Sequence, residues 1–337
     1  MKTIIEFRRA MPHLLRVLGA LLLTWAVLII VPAPGQAASY PDRPIHIIVP
    51  FGPGGGGDII VRLVGQELSK RLGQPVIVEN RTGASGNIGT EAVAHAASDG
   101  YTLLMANVAP MAINAAVFRH LPYDPVKDFT AISPLAIFAN VLVVPPSLNV
   151  RNVAELVALS KTKSGGLNYA SAGMGSITNL SAVMFGLATG AKMVQVPYRG
   201  GGPAVTALLG AEVDLYFSSL PAALPHVEGG QLVAIGVTSD KRSASAPDIP
   251  TLAEAGLADF NAVTWIGLVG PAGVPDEVVT RLNSTLAEIL RSPRVTEEMV
   301  RVGAEAFYSS AADFAAYIRN ENKRWPTIVK QGNIPTQ

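Results

Sequence analysis

The sequence predicts an α/β protein of two lobes, each a mostly parallel sheet flanked by helices, joined by a two-strand hinge. Three observations carry this expectation. β-type runs alternate with single helical runs of about 10 to 15 residues, the pattern of right-handed βαβ crossovers. Two long extended runs, "FTAISPLAIFANVLVVPP" (129–146) and "NAVTWIGLVGPAGVP" (261–275), bracket one complete α/β unit. The ends of the strands are rich in glycine and hydroxyl residues and poor in bulky side chains, as loops that approach a ligand closely need to be.

The elements follow in order. The strand "IHIIV" (45–49) leads through a glycine loop into the helix "IIVRLVGQELSKRLG" (59–73). Next come the strand "PVIVEN", a helix through "GNIGTEAVAHAA", the strand "YTLLMAN" and a short helix near "PMAINAAVF". After the first extended run the pattern restarts: helix "NVAELVALSK", strand "LNYAS", helix "SITNLSAVMFGLAT", strand "MVQVPY", helix "GPAVTALLG", strand "VDLYFSS", helix "PAALPHVEGG" and strand "LVAIGVTS". Beyond the second extended run only helices are expected: "DEVVTRLNSTLAEILR", "PRVTEEMVRVG" and "AADFAAYIRNENKRWPTIVKQ". A chain that leaves one lobe by an extended strand and returns by another suits hinged closure around a ligand. The expected boundaries are 39–139 plus 261–337 for the first lobe and 140–260 for the second.

A chain of 337 residues with 49% apolar content can bury a large core. Its net charge of +1 gives no reason to expect nucleic acid or an anionic membrane as a partner. The first 38 residues have the layout of a secretory signal peptide: basic Lys2, Arg8, Arg9 and Arg16, the apolar run "VLGALLLTWAVLIIV", and small residues up to Ala37 and Ala38. The apolar run is short for a membrane anchor of roughly 20 residues. Arg8 and Arg9 lack the surroundings of a twin-arginine signal, and a mature chain starting near Ser39 in a bacterial periplasm is expected. Cysteine is absent, which excludes disulfides, thiolate metal sites and a cysteine nucleophile.

The loop "PFGPGGGGD" (50–58) satisfies G-x-G-x-x-G from Gly52 to Gly57, and Glu79 ends the next apolar run. A nucleotide-dependent oxidoreductase is therefore an alternative function. Against it stands Asp58, expected at or near the helix N-cap. There its carboxylate would take up first-turn N–H groups and place a negative charge where a pyrophosphate would sit. The matching loop of the second lobe, "SAGMGSITN" (171–179), contains no Lys, Arg or His, and neither does the first. Backbone N–H and hydroxyl groups would have to hold any anion bound there.

Catalytic groups are sparse. His13 falls in the signal peptide, and His46, His95, His120 and His226 show no metal-ligand spacing. "GASGN" (83–87) is not a G-x-S-x-G elbow, because the serine is out of place. Asp214 and Arg199 could meet in the cleft, and Arg199 is the best side-chain candidate for a ligand carboxylate. No cofactor and no metal are expected.

From Tyr40 to the C-terminus, "YPDRPIHIIVPFGPGGGGDIIVRLVGQELSKRLGQPVIVENRTGASGNIGTEAVAHAASDGYTLLMAN", "YASAGMGS", "VPYRGGGPAVTALLGAEVDLYF", "DIPTLAEAG" and "GPAGVPDEVVTRLN" closely resemble the Bug, or TctC-like, family. These are extracytoplasmic solute receptors of tripartite tricarboxylate transporters. The resemblance implies a type II periplasmic binding protein that closes on a small carboxylate or dicarboxylate. The implied partners are transmembrane permease subunits, or a sensor to which the ligand is presented, with the receptor acting as a monomer. Carried over, the ligand contacts would be Phe51, Gly52, Pro53, Gly54 and Gly55 in the first lobe, and Ser171, Ala172, Gly173, Ser176 and Thr178 in the second. Asn107 and Ser218 are implied as side walls. Two departures concern the ligand's far end: Thr178 and Asn179 stand where many relatives carry Ser-His, and Gly57 replaces a hydroxyl residue before Asp58.

Overall fold

A computed structural model describes residues 40–258, 260–331 and 336. The expected signal peptide lies outside the described residues.

Two sheets of similar strand order share one long strand, β4 (Phe129–Val144). In the first, β1 (Ile45–Val49) pairs in parallel with β2 (Val76–Asn80) and β3 (Thr102–Asn107). In the second, β5 (Leu167–Ser171) pairs in parallel with β6 (Met193–Pro197) and β7 (Leu215–Ser219). Both triplets follow from the crossovers that the sequence pattern dictates. Of the two long strands, β9 (Val263–Pro271) runs antiparallel to β3 of the first triplet and β4 runs antiparallel to β7 of the second, and the two are antiparallel to each other. From Phe129 to Ala139, β4 pairs with β9; from Asn140 onward it lies between β7 and β8 (Val233–Val237). The order is therefore β2-β1-β3-β9-β4 in one sheet and β6-β5-β7-β4-β8 in the other. A two-residue strand, β10 (Glu305–Ala306), adds to the edge of β4; it is too short to show a period in the sequence.

Helices fill both faces: α1 (Gly56–Leu72) and α2 (Asn87–Ala94) follow β1 and β2. The expected short helix after β3 is a π-helical turn over Ala109–Ile113 that runs into α3 (Asn114–Val117). The second sheet carries α4 (Val153–Thr162), α5 (Ile177–Thr189), α6 (Gly201–Leu209) and α7 (Leu220–Glu228). After β9 come α8 (Asp276–Leu290), α9 (Pro293–Arg301) and α10 (Ala311–Gln331). Local signals set the boundaries: Gly73, at φ 71°, ends α1 with its N–H on the Ser69 carbonyl. Asn152 caps α4 by accepting the Glu155 N–H at 2.9 Å, while Glu155 accepts from the Asn152 amide.

The run "VLVV" at the end of β4 shows why apolar continuity, not alternation, marks these strands. Leu142 and Val144 join the core that contains Phe185, Phe217 and Trp265, whereas Val141 and Val143 join the one built on Tyr216 and Leu208. A strand covered by helices on both faces buries every residue. Aromatic contacts lock the first of these cores, with Phe185 and Phe217 ring centres 5.7 Å apart and Trp265 edge-on to Phe314 at 5.6 Å.

Candidate functional site

The carboxyl ends of β1, β3, β5 and β7 converge on one cavity of about 70 Å³ at the meeting line of the two sheets. The crossovers themselves create this arrangement, because each parallel strand delivers the chain to the same edge before a helix begins. The cleft is closed. The Gly52 N–H donates to the Arg199 carbonyl at 2.9 Å, and the Gly56 N–H donates to Ser219 Oγ at 3.1 Å. Gly202 lies so close to the first loop that a Cβ there would stand 2.0 Å from the Pro53 carbonyl oxygen. Only backbone without side chains can approach to this degree.

Helix N-termini supply the site's polarity. In α1, which Gly55 precedes as N-cap, Ile59 makes the first intrahelical bond, to the Gly55 carbonyl. The donors of that first turn are Gly56, which bonds Ser219, and then Gly57 and Asp58, all of which line the cavity. In α5 the cap is Ser176, whose Oγ accepts the Asn179 N–H at 3.2 Å. Ile177 and Thr178 hold the remaining donors of that turn and also line the cavity. The first residue of α6, Gly201, adds a third N-terminus. Among the described residues, no Lys, Arg or His lines the cavity.

Asp58 is not the helix cap that its position in the sequence suggests. It sits three residues past Gly55, and its carboxylate turns back to accept the Gly54 N–H at 3.0 Å, the Asn80 amide at 2.9 Å and the Arg62 guanidinium at 3.1 Å. The first-turn N–H groups of Gly57 and Asp58 are therefore left to the cavity, while that of Gly56 bonds Ser219. Burial pushes the Asp58 carboxyl up, but the bonds from Arg62, Gly54 and Asn80, with the Arg62 charge, outweigh it and hold the group below its usual range. Tyr216 forms another part of the wall, and burial pushes its phenol well above the usual value, offset only in part by a hydrogen bond with Thr178.

Of the residues singled out in the sequence, Phe51, Gly52, Gly55, Asp58, Asn107, Ala172, Ser176 and Thr178 line the cavity. Pro53 and Gly54 lie outside it against Gly202, and Gly173 lies outside it against Ser85. Ser171 is buried behind the wall, where its Oγ accepts from Gln195 at 2.8 Å. Asn179 accepts from the Tyr169 hydroxyl at 2.9 Å and bonds the Met174 carbonyl, so it braces the loop from behind. Ser218 points away from the cavity and its neighbour Ser219 points in, because successive side chains of a strand alternate. The Arg199 guanidinium is exposed and outside the cavity, and only its carbonyl takes part in the closed cleft. Asp214 does not meet it but pairs with Lys163 at 2.6 Å.

Sequence reasoning missed Asn140 and Thr264, which come from the two long strands. The Asn140 amide donates to the Ala262 carbonyl at 2.8 Å and to Thr264 Oγ1 at 3.3 Å, so one buried side chain ties both strands together at the cavity floor. A polar residue inside "IFANVLVV" was the available signal. Met105, Phe138 and Ile177 complete the apolar part of the lining. The G-x-G-x-x-G match does not build a pyrophosphate cradle. The Gly52 and Gly54 N–H groups are occupied by Arg199 and Asp58, and Glu79 bonds His46 Nδ1 at 2.5 Å.

Comparison with known proteins points to one family. The family described as the tripartite tricarboxylate transporter family receptor matches residues 60–334. Protein BugT of Bordetella pertussis is 37% identical over 322 residues, 95% of this chain and 98% of the relative. The structure of R. palustris Rpa4515 with adipate is 35% identical, with a TM-score of 0.86 over 88% of this chain and all of the other. MatC (Rpa3494) from Rhodopseudomonas palustris with bound malate is 31% identical, with a TM-score of 0.82 over 86% of this chain and all of the other. The fold is that of a two-lobed periplasmic binding protein. On its sequence and on the architecture around the cavity, the chain belongs to the tripartite tricarboxylate transporter receptor family.

Proposed function

We propose that this chain is a periplasmic receptor, not an enzyme, which captures a small carboxylate or dicarboxylate by closing two lobes around it. The observation that carries the reading is the convergence of three helix N-termini on a closed cavity lined, among the described residues, by no cationic side chain. Helix N-termini attract anions, each contributing about 0.3–1 kcal/mol, and a charge-assisted bond to a carboxylate contributes about 1.5–3 kcal/mol. A ligand held from both sides stabilises the closed form by its differential affinity for it. The lobes run over 39–139 plus 261–337 and over 140–260, a division supported by the change of β4 partners between Ala139 and Asn140. Export through a cleaved signal peptide at 1–38 fits this role, and no described helix is long and apolar enough to cross a membrane. The loaded receptor then delivers its ligand to permease subunits of a tripartite tricarboxylate-type transporter or presents it to a sensor.

Thermal-shift screening tests the reading. The mature protein, refolded from denaturant to strip bound molecules, is titrated with mono- and dicarboxylic acids, adipate and malate first, and with their amides. An acid that raises the melting temperature by several degrees while its amide does not is the expected outcome; a free concentration of 100 Kd stabilises by about 2.7 kcal/mol. If no acid raises the melting temperature, the receptor reading falls.

A further inference from the structure

A run of four residues, Gly83, Ala84, Ser85 and Gly86, has φ values of 136°, 46°, 56° and 94°. Two of the four carry side chains, and left-handed backbone is costly for such residues unless the surroundings enforce it. The conformation carries Ser85 to the loop 171–179 of the second lobe. Its Oγ accepts the N–H of Gly175 from the second-lobe loop at 3.3 Å, and a Cβ on Gly173 would stand 2.9 Å from the same oxygen. Asn114 supports the arrangement from below by donating to the Ser85 carbonyl at 3.1 Å. It is fully buried, and its Oδ1, which has no hydrogen-bond partner, lies where a Cβ on Gly175 would fall, 2.0 Å away. The loop that Ser85 touches is the one that presents Ala172 and Ser176 to the cavity.

We infer that Ser85 is a positioning residue that latches the closed cleft, with Gly175 as its seat. The inference rests on the closing-receptor reading and deepens it. Strain in the Ser85 loop is maintained in order to reach the second lobe, and the bare Cα of Gly175 lets the lobes approach until Asn114 is covered. Ser85→Ala keeps the loop but removes the acceptor, which lowers the ratio of closed to open protein about threefold, the typical effect of one lost hydrogen bond. Gly175→Ala, at a backbone conformation open to any residue, prevents the lobes from seating and lowers that ratio by about tenfold or more.

The chain has no cysteine, so Ile77→Cys and Leu187→Cys, 40% and 59% exposed and on opposite lobes, accept a pair of spin labels without further substitution. Pulsed electron–electron distance measurement on the ligand-free mature protein then reads the closed fraction for the parent, Ser85→Ala and Gly175→Ala, with far-UV circular dichroism confirming that each is folded. A shift to the longer distance in both variants is the expected result. A parent with two populations that neither variant shifts overturns the latch and leaves the receptor reading standing. One unchanged distance in all three proteins, also with adipate and malate present, overturns both.

Discussion

The carboxylate of Asp58 accepts the backbone N–H of Gly54 at 3.0 Å, closing the glycine loop on itself four residues before the acid. The loop thus keeps its shape while the helix behind it keeps its first-turn donors. Asp58→Ala leaves Gly54 and the Asn80 amide without this acceptor, and is expected to destabilise the protein by about 1–3 kcal/mol in urea denaturation at neutral pH. Because the folded carboxyl lies below its ordinary value of 3.8, its contribution is present above that pH and is lost as the pH falls through the folded value. The difference between parent and variant therefore narrows on acidification below about pH 4. A difference that widened there would contradict the assignment.

A second prediction concerns Glu321. Its Oε2 accepts from the indole N–H groups of both Trp265, at 3.1 Å, and Trp325, at 3.0 Å, joining α10 to the long strand β9. Glu321→Leu strands two buried donors and should cost about 2–5 kcal/mol, whereas Glu321→Gln keeps one acceptor oxygen and should cost about 1–2 kcal/mol. The third tryptophan, Trp25, falls in the expected signal peptide, so the fluorescence of the mature protein reports this cluster. Equal losses of stability in the two variants would refute the shared-acceptor account.

How far the sequence reached is clearest where strands are concerned. The parallel strands and their helices were legible, because apolar runs such as "IHIIV" and "YTLLMAN" end in glycine or capping residues. Ser218 and Ser219 differ only by alternation, and which of them faces the cavity depends on the pairing of β7 with β4. Arg199 was attractive as a charge, yet only its carbonyl takes part in the closed cleft, accepting the Gly52 N–H, and its guanidinium is exposed. Asn140 and Thr264 were hidden because they meet only where two strands distant in sequence cross. Asp58 was misplaced by three residues, since the N-cap is set by where the glycine loop stops turning and Gly55 has no side chain to announce it.

Asn140 supplies a third prediction. It is fully buried and spans both long strands at the cavity floor. Asn140→Leu removes the donor to the Ala262 carbonyl, although Thr238 Oγ1 still donates there at 2.8 Å. A loss of about 1–3 kcal/mol is expected, with Asn140→Asp falling in the same range at neutral pH. The measurement is the denaturation midpoint with the slope held fixed, and a neutral Asn140→Leu variant would remove the case for a polar tie between the strands.

The last prediction concerns the pH dependence of binding. Two groups in the cavity wall ionise in water, and their surroundings drive them apart: Asp58 is held ionised, and Tyr216 is held neutral by burial. With no histidine among the described residues of the lining, none of them titrates between about pH 5 and 9. A carboxylate that binds there should do so with affinity flat across that range, falling only at lower pH as the ligand itself takes up a proton. Isothermal titration with whichever acid emerges from the screen, in two buffers of different ionisation enthalpy, checks this directly. The two enthalpies should agree after dilution correction, because no proton moves on binding. Uptake of half a proton or more at neutral pH would mean that a titrating group enters the closed site, and the assignment of the anion to backbone donors would have to be given up.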